Sequence, residues 1–164
     1  MLCPFSDPSV LSLFIYTNVI GRINGYTFDM DRMTSFEGDT GPYLQYAHAR
    51  LCSIIRKARV PLEELGKPNV ALLHETPTVD IIQMLVRRPD VLKMTYNNRE
   101  PITVLTYLIR LTHVLNSSYD HLNIIKREHE LKLARLALYC CVQRVLGAGM
   151  KLLGLVPVER YFLL

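Results

Sequence analysis

Along most of this chain apolar residues recur every three or four positions, the spacing of helices buried on one side. The first such run is "SVLSLFIYTNVI", residues 9–20, read as a buried or docking helix that Asp7 starts, with Pro8 at its first position. An Asn24-Gly25 turn then leads to a brief helix over residues 29–36 and the loop "EGDTG". Pro42 opens the next helix, with Thr40 as its cap, and the periodicity continues to about Arg59. "VPLEELGKPNV" reads as a loop holding one helical turn. Thr76 and Pro77 begin another helix, with Asp80 near its positive end; Pro89 ends it and opens a short one. Pro101 opens a helix to about Leu122, and a last long helix covers about Glu128 to Leu153 before Gly154 stops it.

Two of these elements carry seam-like stripes. Leu105, Leu108, Thr112, Leu115, Tyr119 and Leu122 step by three and four, and Leu131, Leu138, Val142, Val145, Gly149 and Leu152 repeat the device, with a step of seven after Leu131. Such stripes need one another to stay out of water. No segment shows the alternation of a half-buried strand, so the expected fold is an all-α bundle of about six helices.

Composition adds modest limits. A hydrophobic fraction of 49% against 21% charged residues reads as a globular chain with a real core. The net charge of +4 matters less than its clustering: Arg50, Arg56, Lys57 and Arg59 fall in a stretch containing no acid. Such a run is ordinarily a solvated face, and it also fits an acidic partner. Cys3, Cys52, Cys140 and Cys141 form no Cys-x-x-Cys pair, so neither a disulfide framework nor a zinc site is expected. His48, His74, His113, His121 and His129 lack ligand-like spacing and read as surface or core residues. Residues 9–20 are too few for a membrane span, which needs about 20, and the basic lead of a secretory signal is missing. No membrane partner is expected.

The chemistry gathers on the helix after Pro42. At about 100° per residue, Leu44, Ala47, Leu51, Ile54 and Ala58 share the inward side. Tyr43, Tyr46, Arg50, Ser53 and Lys57 form a second stripe on its margin, with Arg56 off it. Rings followed by cations suit single-stranded nucleic acid: the rings offer stacking faces to splayed bases and guanidinium groups bind phosphate. Gly38 and Gly41 would let the loop backbone approach a ligand. Packing is the competing reading, since tyrosines at a helix margin are often half-buried.

The stretch "DRMTSFEGDTGPYLQYAHARL" resembles the arginyl-tRNA synthetases where their catalytic and anticodon-binding domains join. "EPITVLTYLIRLTHVLNSSYD" and "LARLALYCCVQRVLGAGMKLLGLVPVER" are similar, in order, to later helices of the same DALR anticodon-binding domain, most closely in its eukaryotic, fungal-like branch. The resemblance implies a helical bundle that grips the anticodon stem-loop of arginine tRNA. It divides the chain into an apolar helix and linker over residues 1–21 and the domain over 22–164. The loop of residues 35–41, with Phe36, Gly38, Asp39 and Gly41, would approach the anticodon. Tyr43 and Tyr46 match positions lying against its nucleotides, Arg50 and Arg56 positions meeting its backbone, and Tyr119 one facing the anticodon. Arg135 matches the family's signature arginine and is expected to be structural, paired to a carboxylate that the sequence does not identify.

Asn123 stands where the family often carries a large aromatic, and the chain has no tryptophan. Tyr161 takes the place of the family's usual terminal residue, so an RNA contact there is not expected. The His-x-Gly-His and Lys-Met-Ser-Lys-Ser motifs of class I synthetases are not found, so the chain alone is expected to be catalytically silent. ATP and magnesium would belong to the family's catalytic domain, and no cofactor or metal is expected here. The implied partners are arginine tRNA and a separate catalytic chain, in the cytoplasm or the mitochondrion. The alternative is a helical interaction or dimerisation module that has lost tRNA binding.

Overall fold

The computed structural model describes residues 41–61, 64–66, 68–124 and 128–160. The helices expected over residues 9–20 and 29–36, the Thr40 cap, Phe36, Gly38, Asp39, Cys3 and the tail after Arg160 lie outside them. Among the described residues there are five α-helices and no strand: α1 (Gly41–Ala58), α2 (Thr76–Val86), α3 (Arg88–Asn98), α4 (Ile102–Ser118) and α5 (His129–Leu152). The all-α class holds there; the count of about six is not confirmed. In the linker after α1 the expected turn is the 3-10 turn Glu64–Gly66, and a second 3-10 turn, Val70–Leu72, starts where "VPLEELGKPNV" ends. The Asn69 side chain caps the second by accepting from the Ala71 N–H at 3.2 Å.

Helix α1 packs on α5 and α4, while α2 and α3 close the far side of α4. The inward stripe of α1 is sealed: Leu44, Ala47, Leu51 and Ala58 are buried and Ile54 packs against them. Across from it Leu105, Leu108, Leu111, Leu115, Leu136, Val142 and Leu146 are buried. Each fully buried side chain of this size contributes about 1.5–3 kcal/mol. The Tyr107 hydroxyl donates to the Met84 carbonyl at 3.0 Å and pins α4 to α2.

Two expectations need correction. Helix α4 stops at Ser118, not Leu122. The Ser117 and Ser118 hydroxyls donate to the Val114 and Leu115 carbonyls at 2.9 and 2.6 Å, competing for acceptors at the helix end. One more turn follows, with the Leu122 N–H on the Ser118 carbonyl at 2.8 Å, so Leu122 still reaches the core. On α5, Leu152 is exposed and Leu153 buried instead. A 3.6-residue helix drifts against a seven-residue seam, and here the seam leaves Gly149 by a step of four. Gly154, at φ +78°, then ends α5 as expected, and the Leu155 N–H reaches back to the Met150 carbonyl at 2.9 Å.

Candidate nucleic-acid interface

Helix α1 lies between two walls, and its open face between them bears Tyr46, Arg50, Arg56 and Lys57. No carboxylate occurs anywhere on α1. Tyr46 keeps 52% of its surface in solvent. Gly41 opens the helix.

The first wall is α4. Asn116 Nδ2 donates to the Tyr43 hydroxyl at 2.7 Å, and His113 Nδ1 lies 3.3 Å from the same oxygen. The Tyr43 and His113 rings are 5.4 Å apart and tilted. Tyr43 is therefore half-buried and fixed by its hydroxyl, while Tyr46 presents its ring outward. The two tyrosines that the sequence treats alike hold different positions.

Immediately after α4, at its C-cap, Tyr119 is half-buried beneath Arg50, whose guanidinium carbon sits 3.9 Å from the ring centroid. Tyr119 meets Tyr139 edge-on, with centroids 5.8 Å apart and planes at 89°. The Tyr139 hydroxyl lies 3.0 Å from Ser118 Oγ; because that serine spends its own hydrogen on Leu115, Tyr139 donates. The Tyr119 hydroxyl is buried without a hydrogen-bond partner among the described residues. Burial, then the neighbouring Tyr139, pushes its pKa well up, against an opposing pull from Arg50. Burial likewise raises Tyr139.

The second wall is the segment after α5, and the sequence did not point to its anchors. Gln45 Nε2 donates to the Val156 carbonyl, and Gln45 Oε1 accepts from the Val158 N–H, both at 2.8 Å. His48 Nδ1 donates to the Val158 carbonyl at 2.9 Å, which leaves Nε2 to accept from Gln143 at 3.0 Å. Both side chains are buried. Gly147 makes room for this histidine: a Cβ there would lie 3.1 Å from His48 Nε2. At this edge Cys52 has its thiol pKa raised, chiefly by burial; Glu159 adds to the shift and Arg56 opposes it. Arg56 is exposed but, as its spacing on the helix indicates, lies off the Tyr46–Arg50 stripe.

Arg135 is away from this face. It is buried on α5, where it pairs with Glu75 and donates to the Asn123 carbonyl at 2.6 Å. Glu75 is the carboxylate that the sequence left unnamed, and the arginine joins the N-terminus of α2 to the loop after α4. No group of side chains able to hold a metal ion occurs among the described residues. No helix among them is long and apolar enough to cross a membrane.

Residues 44–161 match the family described as the DALR anticodon binding domain. Over 139 residues the chain is 51% identical to the probable cytoplasmic arginine–tRNA ligase of Schizosaccharomyces pombe, an alignment covering 85% of this chain and 22% of that protein. It is 50% identical over 140 residues to the cytoplasmic arginine–tRNA ligase of Saccharomyces cerevisiae, covering 85% of this chain and 23% of the ligase. The chain thus spans less than a quarter of the length of these relatives. The crystal structure of arginyl-tRNA synthetase from Plasmodium falciparum superposes with a TM-score of 0.77 at 25% identity, over 93% of this chain and 27% of that one.

Proposed function

This chain belongs to the DALR anticodon binding domain family, and on that premise we propose that it binds the anticodon stem-loop of arginine tRNA as the recognition module of an arginine–tRNA ligase. The observation that carries the reading is the open face of α1, where half-exposed Tyr46 stands one turn before Arg50 on a helix with no acid. A ring of this kind stacks on an unpaired base, a contact worth about 1–3 kcal/mol, and the cations neutralise phosphates. Tyr43, Asn116 and His113 hold the first wall of the face, and Gln45 and His48 hold the second. The two ligases named above supply the arginine specificity of the proposal, and their cytoplasmic designation supports the same compartment here. ATP and magnesium chemistry falls, on this reading, to a catalytic region supplied with or beside this chain.

Fluorescence titration with a labelled arginine anticodon stem-loop tests the proposal, with a stem-loop of unrelated anticodon as the control. Tighter binding of the arginine loop, falling steeply with added salt as counterions are released, is the expected result. Equal affinity for both loops, or binding indifferent to salt, would contradict it. The catalytic partner has its own test: adding this chain to an arginyl-tRNA synthetase catalytic region that lacks the domain should raise arginine charging.

A further inference from the structure

We infer that Arg50 uses the flat face of its guanidinium as a stacking plate for an unpaired nucleobase, with Tyr119 as the positioning residue beneath it. The inference rests on the proposed RNA face and assigns to Arg50 a role other than phosphate clamp. Four observations lead to it. First, the guanidinium carbon is 3.9 Å from the Tyr119 centroid, a cation–π contact that orders a side chain otherwise rich in rotamers. Second, Tyr119 is braced: Tyr139 abuts its edge, and Tyr139 is itself fully buried and bonded to Ser118.

Third, the Tyr119 hydroxyl is buried without a hydrogen-bond partner among the described residues, an arrangement that costs stability. The phenol oxygen therefore contributes nothing to holding the residue, and the ring face does. Fourth, Arg50 is exposed and has no carboxylate partner among the described residues. A planar cation that lies against a ring and is exposed to solvent can take a base on its other side. Tyr46, one turn earlier on the same stripe, offers a second plate. The ligand class is a nucleobase splayed from a single strand, held by cation–π and stacking contacts that tolerate any base.

Lysine keeps the charge of arginine but lacks the plane, so it separates the two roles. The full chain, with Arg50→Lys and Arg50→Ala variants, is titrated with the arginine anticodon stem-loop and with versions in which each loop nucleotide in turn is abasic. The expected result is that Arg50→Lys loses about 5- to 100-fold in affinity, nearly as much as Arg50→Ala, with the salt dependence of the wild type. One abasic position should show the same loss and lose nothing more when combined with Arg50→Lys. Tyr119→Phe should bind within about twofold of wild type, because ring stacking is retained.

Arg50→Lys binding like wild type, with Arg50→Ala alone lowering the salt dependence, would overturn the inference in favour of a phosphate clamp. So would additive losses at every abasic position, or a Tyr119→Phe defect matching that of Arg50→Ala. Failure of the unmodified chain to bind the stem-loop at all would remove the functional reading and this inference together.

Discussion

Gly149 of α5 and Leu108 of α4 meet so closely that a Cβ on the glycine would lie 2.5 Å from Leu108 Cδ2. The bare glycine, three residues before the end of α5, lets α4 and α5 approach closely there. Gly149→Ala gains helix propensity but must displace a fully buried leucine, and overpacking outweighs propensity. The expected net loss is about 1–3 kcal/mol in urea denaturation, with unchanged helical content by circular dichroism. An equally stable variant would mean that the helices separate without cost.

Arg135 and Glu75 form a mostly buried pair, the arginine at 3% exposure. Removing one partner from such a pair leaves the other charge uncompensated, a loss of about 3–5 kcal/mol. Arg135→Ala should be more disruptive than Glu75→Gln, since it also abandons the Asn123 carbonyl. Thermal unfolding of the two variants checks the order. RNA affinity of whatever fraction remains folded should be unaffected, because the pair lies off the α1 face.

The stability of the chain should fall under alkaline conditions. Tyr107, Tyr119 and Tyr139 have pKa values raised above that of a free tyrosine, each chiefly by burial. A raised folded-state pKa means that the native state keeps protons which the unfolded chain releases. The stabilisation is therefore complete below the ordinary tyrosine value of about 10 and is lost as pH rises beyond it. Denaturation midpoints measured upward from about pH 9 should decline from that value, while the phenolate absorbance of these residues should grow only as the protein unfolds.

Gln45 closes two hydrogen bonds to backbone groups 111 and 113 residues away. Gln45→Ala strands the Val156 carbonyl and the Val158 N–H, each costing about 1–3 kcal/mol where it is buried. The release should be local. Hydrogen exchange at Val158 should accelerate while amides in the middle of α4 keep their protection, and uniform acceleration would contradict a local latch.

Residues such as Leu44, Leu51, Leu105 and Leu115 were legible in the sequence because a single buried face imposes a period. Gln45 and His48 were not. They are covered by an irregular segment, whose backbone carries no periodic signal and approaches from the other end of the chain. The same logic explains Tyr43 and Tyr46: spacing puts both on one margin, but only the partners Asn116 and His113 tell which ring is tied down. Arg135 looked structural from its place beside an apolar stripe, yet its carboxylate, 60 residues away, could emerge only from the fold. The end of α4 was misplaced because two adjacent serines, each bonding backward, halt a helix whose hydrophobic stripe runs on.

On the proposed function an exposed aromatic ring on a cationic helix meets unpaired RNA, and Tyr46 is the side chain at which that contact is most directly measured. Affinity for the arginine anticodon stem-loop should be compared between the unmodified chain and Tyr46→Ala, with circular dichroism confirming that both are folded. The expected loss is about 1–3 kcal/mol. An affinity unchanged in the folded variant would contradict it.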